Sequence, residues 1–382
     1  MRILSALIFA LALLVTAPAA RAEQSAWDNI ERIVVIGDLE GDYEKFVDML
    51  RQAQLIDADG DWAGGQTHLV QLGDIPDRGP NSRMIMDHLM RLEPQALRAD
   101  GHVHALIGNH EAMNVEGDLR YVHPGEYAAF ADRRSARRRT AFYRQTQAHL
   151  RQNPPPSGVP VFDDAFRAQW ESEHPLGYVE HRQAWAPTGA YGRWIATHES
   201  VIRINDLLFL HAGIGPAYLP AERDAMNEAV RDALSGQPDP AFADILTAQQ
   251  GPLWYRGLSL NDEAQETPHL DALLGRHGVS RIIVGHTKRA ATVLPRFDGR
   301  VIITDIAQRP NSPDPHAFLI IENGALTTVH RGQRVPLIAA THAQTCEYLA
   351  RIVAIDGSSS PVQPTLAACR SGAESQAATT AP

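Results

Sequence analysis

The sequence predicts an α/β fold, and three observations carry that prediction. Apolar runs recur at "RIVVIGD" (32–38), "HLVQLGD" (68–74) and "VHALIGNHE" (103–111), with the length and composition of buried strands. Each run ends in a glycine followed by a polar residue. The first two lead into helical spacing: Phe46, Met49, Leu50 and Ala53, then Ile85, His88, Leu89 and Leu92. Strand alternating with helix is the pattern of parallel strands joined by helical crossovers.

The chain begins with something other than that core. Arg2 is followed by the apolar run Ile3 to Val15, and Ala20-Arg21-Ala22 has the A-x-A form of a cleavage site. Residues 1–22 therefore read as a signal peptide. The run is short of the ~20 residues a membrane helix needs, and no later apolar stretch is long enough to span. The expected product is exported, periplasmic in a bacterial cell, with no stable membrane association after cleavage.

The main domain is expected over 30–335. Its α/β units fill 32–111, and residues 112–197 then break the rhythm. Rich in Arg, Gln, Ala and aromatics and interrupted by "NPPPSGVP" (153–160), they predict a mostly helical insertion, a lid or cap. Strands return in "SVIRINDLLFLHAGI" (200–214), a hairpin turning at Asn205-Asp206. A helical stretch is predicted within 221–249, and strands at 281–287 and 300–307. Asn323-Gly324 marks a hairpin within 317–330. Residues 336–382 are expected to form a C-terminal tail. It holds both cysteines, Cys346 and Cys369, which can pair in an oxidising compartment. Beyond Cys369, "SGAESQAATTAP" is small and polar, a composition that favours disorder.

Charge narrows the partners. The formal net charge is −10, and loss of residues 1–22 removes Arg2 and Arg21 and no acid, giving −12. So acidic a body excludes general binding of nucleic acid or anionic membrane. An anionic substrate must be caught by a local positive site. The five arginines of "ADRRSARRR" (131–139) offer one such patch, or simply a solvated helix face.

The strand ends carry the chemistry. Asp38 and Glu40, Asp74, Asn109, His211 and His286 all follow apolar strands, in a fold class whose ligands gather at the carboxyl edge of the sheet. Carboxylate, amide and imidazole donors suit Mn²⁺, Fe or Zn²⁺, with Mg²⁺ also compatible, and not a soft thiolate metal. Six ligands with one carboxylate free to bridge suggest two divalent ions, which bind phosphoryl oxygens and activate water.

The strings "GDLEG" (37–41), "GDIPDRG" (73–79), "GNHE" (108–111) and "HAG" (211–213), in that order, resemble the calcineurin-like metallophosphoesterases, in particular their phosphoprotein phosphatase branch. "GPLWYRG" (251–257) and "VGHT" (284–287) further resemble the bacterial Shewanella-like phosphatases. The resemblance spans roughly residues 30–335 and implies a four-layer α/β/β/α sandwich. It also implies roles. Asp38, residue 40 and Asp74 would hold one metal; Asp74, Asn109, His211 and His286 would hold the other. His110 would be the general acid, oriented by Asp77, and Arg78 and Arg256 would clamp phosphate oxygens. Two departures stand out. Ala212 replaces the first glycine of an H-G-G turn, and Glu40 replaces a histidine ligand, either binding metal in its place or turning away.

The denser aromatic stretch at 177–199 is the expected rim of the pocket. Arg182 and Arg193 are candidates to extend the phosphate site, and Trp185, Tyr191 and Trp194 either stack on a substrate ring or pack internally. Together these features predict an exported dimetal phosphatase acting on phosphomonoesters of protein or small molecules. Two alternatives are a nucleotide or dinucleoside-polyphosphate hydrolase, and a catalytically silent phosphate-binding relic.

Overall fold

The computed structural model describes residues 24–306 and 316–372. The leader read at 1–22 and the polar tail from 373 onward lie outside the described residues. A two-residue strand, β1 (Ala26–Trp27), is followed by β2 (Arg32–Ile36), α1 (Tyr43–Gln52), β3 (His68–Gln71), α2 (Ser82–Arg98) and β4 (His102–Ala105). Strands β2, β3 and β4 pair in parallel. In β2 every residue after Arg32 is buried, as expected of a strand covered on both faces.

Six helices then occupy the insertion: α3 (Asn109–Glu116), α4 (Pro124–Phe130), α5 (Ser135–Gln152), α6 (Asp164–Glu173), α7 (Tyr178–Trp185) and α8 (Ala190–Ile195). The chain returns through the hairpin β5 (Val201–Ile204) and β6 (Leu207–Leu210). Next come α9 (Arg223–Leu234), α10 (Gly257–Leu260), α11 (Glu263–His277), β7 (Arg281–Val284), β8 (Leu294–Arg296) and β9 (Val301–Ile303). The last elements are β10 (Ala317–Glu322), β11 (Ala325–His330), β12 (Gln333–Pro336), α12 (His342–Asp356) and α13 (Gln363–Ser371).

The strands form two six-stranded mixed sheets, ordered β1-β5-β6-β7-β9-β8 and β12-β11-β10-β2-β3-β4. Both contribute to one contiguous apolar core, with Val34, Val35, Leu69 and Ile320 from one and Ile202, Phe209, Ile283 and Ile302 from the other. Two mixed sheets with helices are the α/β architecture the sequence predicts.

Three differences have physical reasons. Strand β8 went unread because it contains Pro295, which removes a ladder donor; β8 lies at a sheet edge, where proline is tolerated. The predicted helix within 221–249 ends at Leu234, just before Gly236 in the left-handed region. Residues 342–371 carry two helices, with Tyr348, Leu349 and Ile352 of α12 buried. The Cys346–Cys369 disulfide joins those helices.

Candidate active site

The residues singled out at the strand ends meet along one edge shared by the two sheets. Oxygen donors come from one sheet: Asp38 follows β2, Asp74 follows β3, and Asn109 follows β4 as the first residue of α3. The imidazoles come from the other: His211 follows β6 and His286 follows β7. The ligand atoms of Asp74, His211 and His286 lie within 4.8 Å of one another, and all three residues are buried.

Local backbone explains why the sequence is so restricted here. Leu39 and Glu40 both donate their N–H to the Asp74 carbonyl at 3.0 Å, so the first two turns are tied together. Gly41 has φ of 72°, and a Cβ there would come within 2.7 Å of the Gly79 backbone. Asp74, Asp77, Arg78 and His286 adopt positive φ despite their side chains, a strained conformation that clusters at functional sites.

Glu111, the last letter of "GNHE", had no role assigned from the sequence. Its carboxylate accepts the N–H of Gly108 and Asp74 at 2.8 and 2.9 Å through Oε2, and of Ile75 at 2.8 Å through Oε1. It thereby staples the second turn to the third. The signal for it was the carboxylate placed three residues past the glycine that opens α3, a capping-box spacing.

His110 sits between two carboxylates. Its Nδ1 lies 2.6 Å from Asp77 Oδ2, and its Nε2 lies 3.7 Å from Asp74 Oδ2. Asn114 donates to the other Asp77 oxygen at 3.0 Å, fixing that carboxylate from behind. Burial works against a charged imidazole, but Asp74 and Asp77 outweigh it and hold the His110 pKa above its usual value. A histidine so placed keeps a proton to give.

The donor set fits divalent metal. His211 Nδ1 is 2.7 Å from the Leu72 carbonyl and must carry the proton, which leaves the Nε2 lone pair for a ligand. That Nε2 lies 3.0 Å from Asn109 Oδ1, 3.0 Å from His286 Nδ1 and 3.4 Å from Asp74 Oδ1. Asp38 Oδ1 accepts the His286 backbone N–H at 3.0 Å. Burial, with Asp305, Asp74 and Glu40 crowded around it, pushes the Asp38 carboxyl well above the usual range. Such a concentration of buried negative charge facing imidazole lone pairs is what a cation relieves. Asp305, just beyond β9 and buried, was not singled out from the sequence; an isolated aspartate after a strand carries no distinguishing string.

Glu40 forms an ion pair with Arg78 through Oε1 and Nη1. Arg256 reaches the opposite flank, donating from Nη1 to the His286 carbonyl at 2.8 Å and to Thr287 Oγ1 at 2.9 Å. The other two arginine candidates are engaged elsewhere. Arg182 donates to the Asn114 and Val115 carbonyls near the end of α3, and Arg193 to the Thr188 carbonyl beside its own helix. Three aromatics of 177–199 are packing residues. Trp185, Tyr191 and Trp194 are buried, with Tyr191 bonded to Asp87 and Trp194 to Glu93. Within 131–139, Arg138 pairs with Asp132 and Glu180 and Arg139 with Glu171, so part of this patch ties the insertion together.

Comparison with known proteins agrees with this geometry. The model of the calcineurin-like phosphoesterase family matches residues 31–290. Shewanella-like protein phosphatase 2 of Arabidopsis thaliana is 30% identical over 305 residues, covering 76% of this chain and 75% of that protein. An uncharacterized protein of Schizosaccharomyces pombe is 27% identical over 318 residues, covering 80% and 82%. Among solved structures, the cold-active protein-tyrosine phosphatase of a psychrophilic Shewanella species superimposes with a TM-score of 0.62 at 27% identity, covering 84% of this chain and 85% of that one. The chain belongs to the calcineurin-like phosphoesterase family, among the relatives of the Shewanella-like protein phosphatases, and is a metal-dependent phosphatase.

Proposed function

We propose that this enzyme is exported and releases phosphate from phosphomonoesters of proteins, phosphotyrosine among them, using two divalent ions. The observation that carries the reading is the Asp77–His110 pair at 2.6 Å, set beside the Asp74, His211 and His286 cluster. A binding relic has no use for an imidazole so oriented by a carboxylate. The named activity of the Shewanella structure supports the tyrosine substrate, and the Cys346–Cys369 disulfide supports an oxidising destination. With Trp185, Tyr191 and Trp194 packed inward, the nucleotide reading loses the rings that favoured it.

In this mechanism Arg78 and Arg256 hold the phosphoryl oxygens from two sides. His110 delivers its Nε2 proton to the leaving oxygen, and Asp77 keeps the Nδ1 proton in place so that the correct nitrogen faces the substrate. Asp38, Asp74 and Glu40 would hold one ion, and Asp74, Asn109, His211 and His286 the other. When bound, the ions supply charge neutralisation and an activated water. A carboxylate carries several lone-pair sites, so Glu40 can pair with Arg78 and serve an ion together. An oxygen-only set at that half favours Mn²⁺ or Mg²⁺ over Zn²⁺.

The test is a phosphoester panel on the mature, metal-loaded protein: phosphotyrosine, phosphoserine and phosphothreonine peptides, aryl phosphates, nucleotides and dinucleoside polyphosphates. Hydrolysis led by phosphopeptides is expected. Faster turnover of nucleotides or dinucleoside polyphosphates would replace the proposed substrate, and no turnover of any ester would remove the catalytic reading.

A further inference from the structure

Residues 117–121 leave the end of α3 and cross to the turn that carries Asp77 and Arg78. The segment is well fixed. The Asp118 N–H donates to the Met113 carbonyl at 2.9 Å, and the Asp118 carboxylate receives Arg120 twice, from Nε at 2.9 Å and Nη2 at 2.6 Å. It delivers Tyr121 to a position where three contacts converge. The Arg78 backbone N–H donates to the Tyr121 carbonyl at 2.9 Å. The Arg78 guanidinium lies 5.1 Å from the centre of the Tyr121 ring. The His110 imidazole lies 5.1 Å from the same ring, tilted by 43°.

What Tyr121 supports is strained. Asp77 and Arg78 have φ of 78° and 56°, a region that residues with a Cβ enter at a cost. Such a turn persists only when its surroundings hold it, and the Tyr121 carbonyl takes the N–H of the second strained residue. The ring does the same for the side chain. A guanidinium over an aromatic face keeps its charge and its plane of donors while losing rotational freedom.

We propose that Tyr121 is the positioning residue of this site, holding the Arg78 guanidinium and the His110 imidazole in the relative placement that a bound phosphomonoester requires. The inference rests on the reading of Arg78 as a phosphate clamp. It gives the insertion a function: one of its residues completes the site from outside the two sheets. Without the ring, Arg78 keeps its Glu40 partner but loses the face that fixes its plane, more of its ordering falls to the ligand, and affinity falls by that amount.

The experiment is a double-mutant cycle read by calorimetric binding of inorganic phosphate to the Mn²⁺-loaded protein. The forms are the parent, Tyr121→Phe, Tyr121→Leu, Arg78→Ala and Tyr121→Leu/Arg78→Ala, each checked for metal content and melting temperature. Tyr121→Phe keeps the ring and is expected to bind within about twofold of the parent. Tyr121→Leu is expected to weaken phosphate about fivefold, the scale of a cation–π contact. In the Arg78→Ala background the same Tyr121→Leu change should have no further effect, because the group it positions is gone. Equal losses in both backgrounds, no loss in either, or no phosphate binding by the parent overturns the inference. Hydrolysis is scored separately: a parent that binds phosphate but cleaves no ester defeats the phosphatase reading, while the cycle still decides the role of Tyr121.

Discussion

Glu40 and Arg78 are paired across two different turns of the site, one after β2 and one after β3. A histidine at position 40 offers no such partner to an arginine. The substitution therefore changes two things at once: the donor offered to an ion beside Asp38 and Asp74, and the resting place of the arginine proposed to clamp phosphate.

Glu40→His and Glu40→Ala separate those effects. Glu40→His is expected to shift metal preference toward Zn²⁺, because a borderline nitrogen replaces a hard oxygen. Glu40→Ala is expected to lose affinity for one of two metal equivalents, measured by elemental analysis after dialysis. Two tightly held metals in Glu40→Ala with an unaltered ranking of Mn²⁺, Mg²⁺ and Zn²⁺ would show that the residue serves Arg78 alone.

His110→Asn should retain fold and metal while turnover drops about 10²- to 10⁴-fold, the usual contribution of a general acid. The loss should shrink for aryl phosphates with acidic leaving groups, which need no proton. Steady-state rates on a phosphoserine peptide and on an activated aryl phosphate decide the matter. An equal loss on both would place His110 in binding and not in proton transfer.

Glu126 of α4 predicts a pH dependence of stability. Its Oε1 accepts the Ser82 N–H at 2.8 Å at the start of α2, and burial pushes its carboxyl from 4.5 up to about 7. A raised carboxyl favours the protonated form in the folded state. The native protein therefore loses this contribution as pH rises from about 4.5 to about 7, by roughly 3 kcal/mol in all. Glu126→Gln keeps the acceptor without the charge. Its denaturation midpoint should exceed the parent's at pH 8 and approach it at pH 4.5. Parallel midpoints across that range would exclude a titrating Glu126.

The Cys346–Cys369 bond closes a short loop whose ends are 23 positions apart. Replacing both cysteines with serine should lower stability by about 3 kcal/mol in the chain-entropy model. Denaturant titration of the oxidised parent, the reduced parent and the double variant tests it. Reduced parent and double variant should coincide, below the oxidised form.

The polar strand ends were legible in the sequence because each follows an unmistakable apolar run, so position and chemistry were visible together. Glu111, Asp305 and Tyr121 were not legible for the opposite reason. Glu111 acts through three backbone N–H groups whose convergence only the folded turns create. Asp305 and Tyr121 stand in strings with no recognisable spacing, and matter through neighbours far away in the chain. Arg182 shows the reverse error: a positive charge near an expected rim was read as available to substrate, whereas helix-end carbonyls take it. The fold was read less well where elements are very short, as in β1, or defy propensity, as in β8 with its proline.

The division of donors between the two sheets sets the order in which the protein becomes competent. Asp38 and His286 are 248 positions apart, and Asn109 and His211 are 102 apart, so the centre closes only after distant segments have met. The sheet that holds β2, β3 and β4 brings the oxygen ligands Asp38, Asp74 and Asn109 to the centre. Nitrogen donors join when the second sheet docks. The complete donor set is thus a property of the folded chain alone, and metal binding and the meeting of the two sheets are coupled.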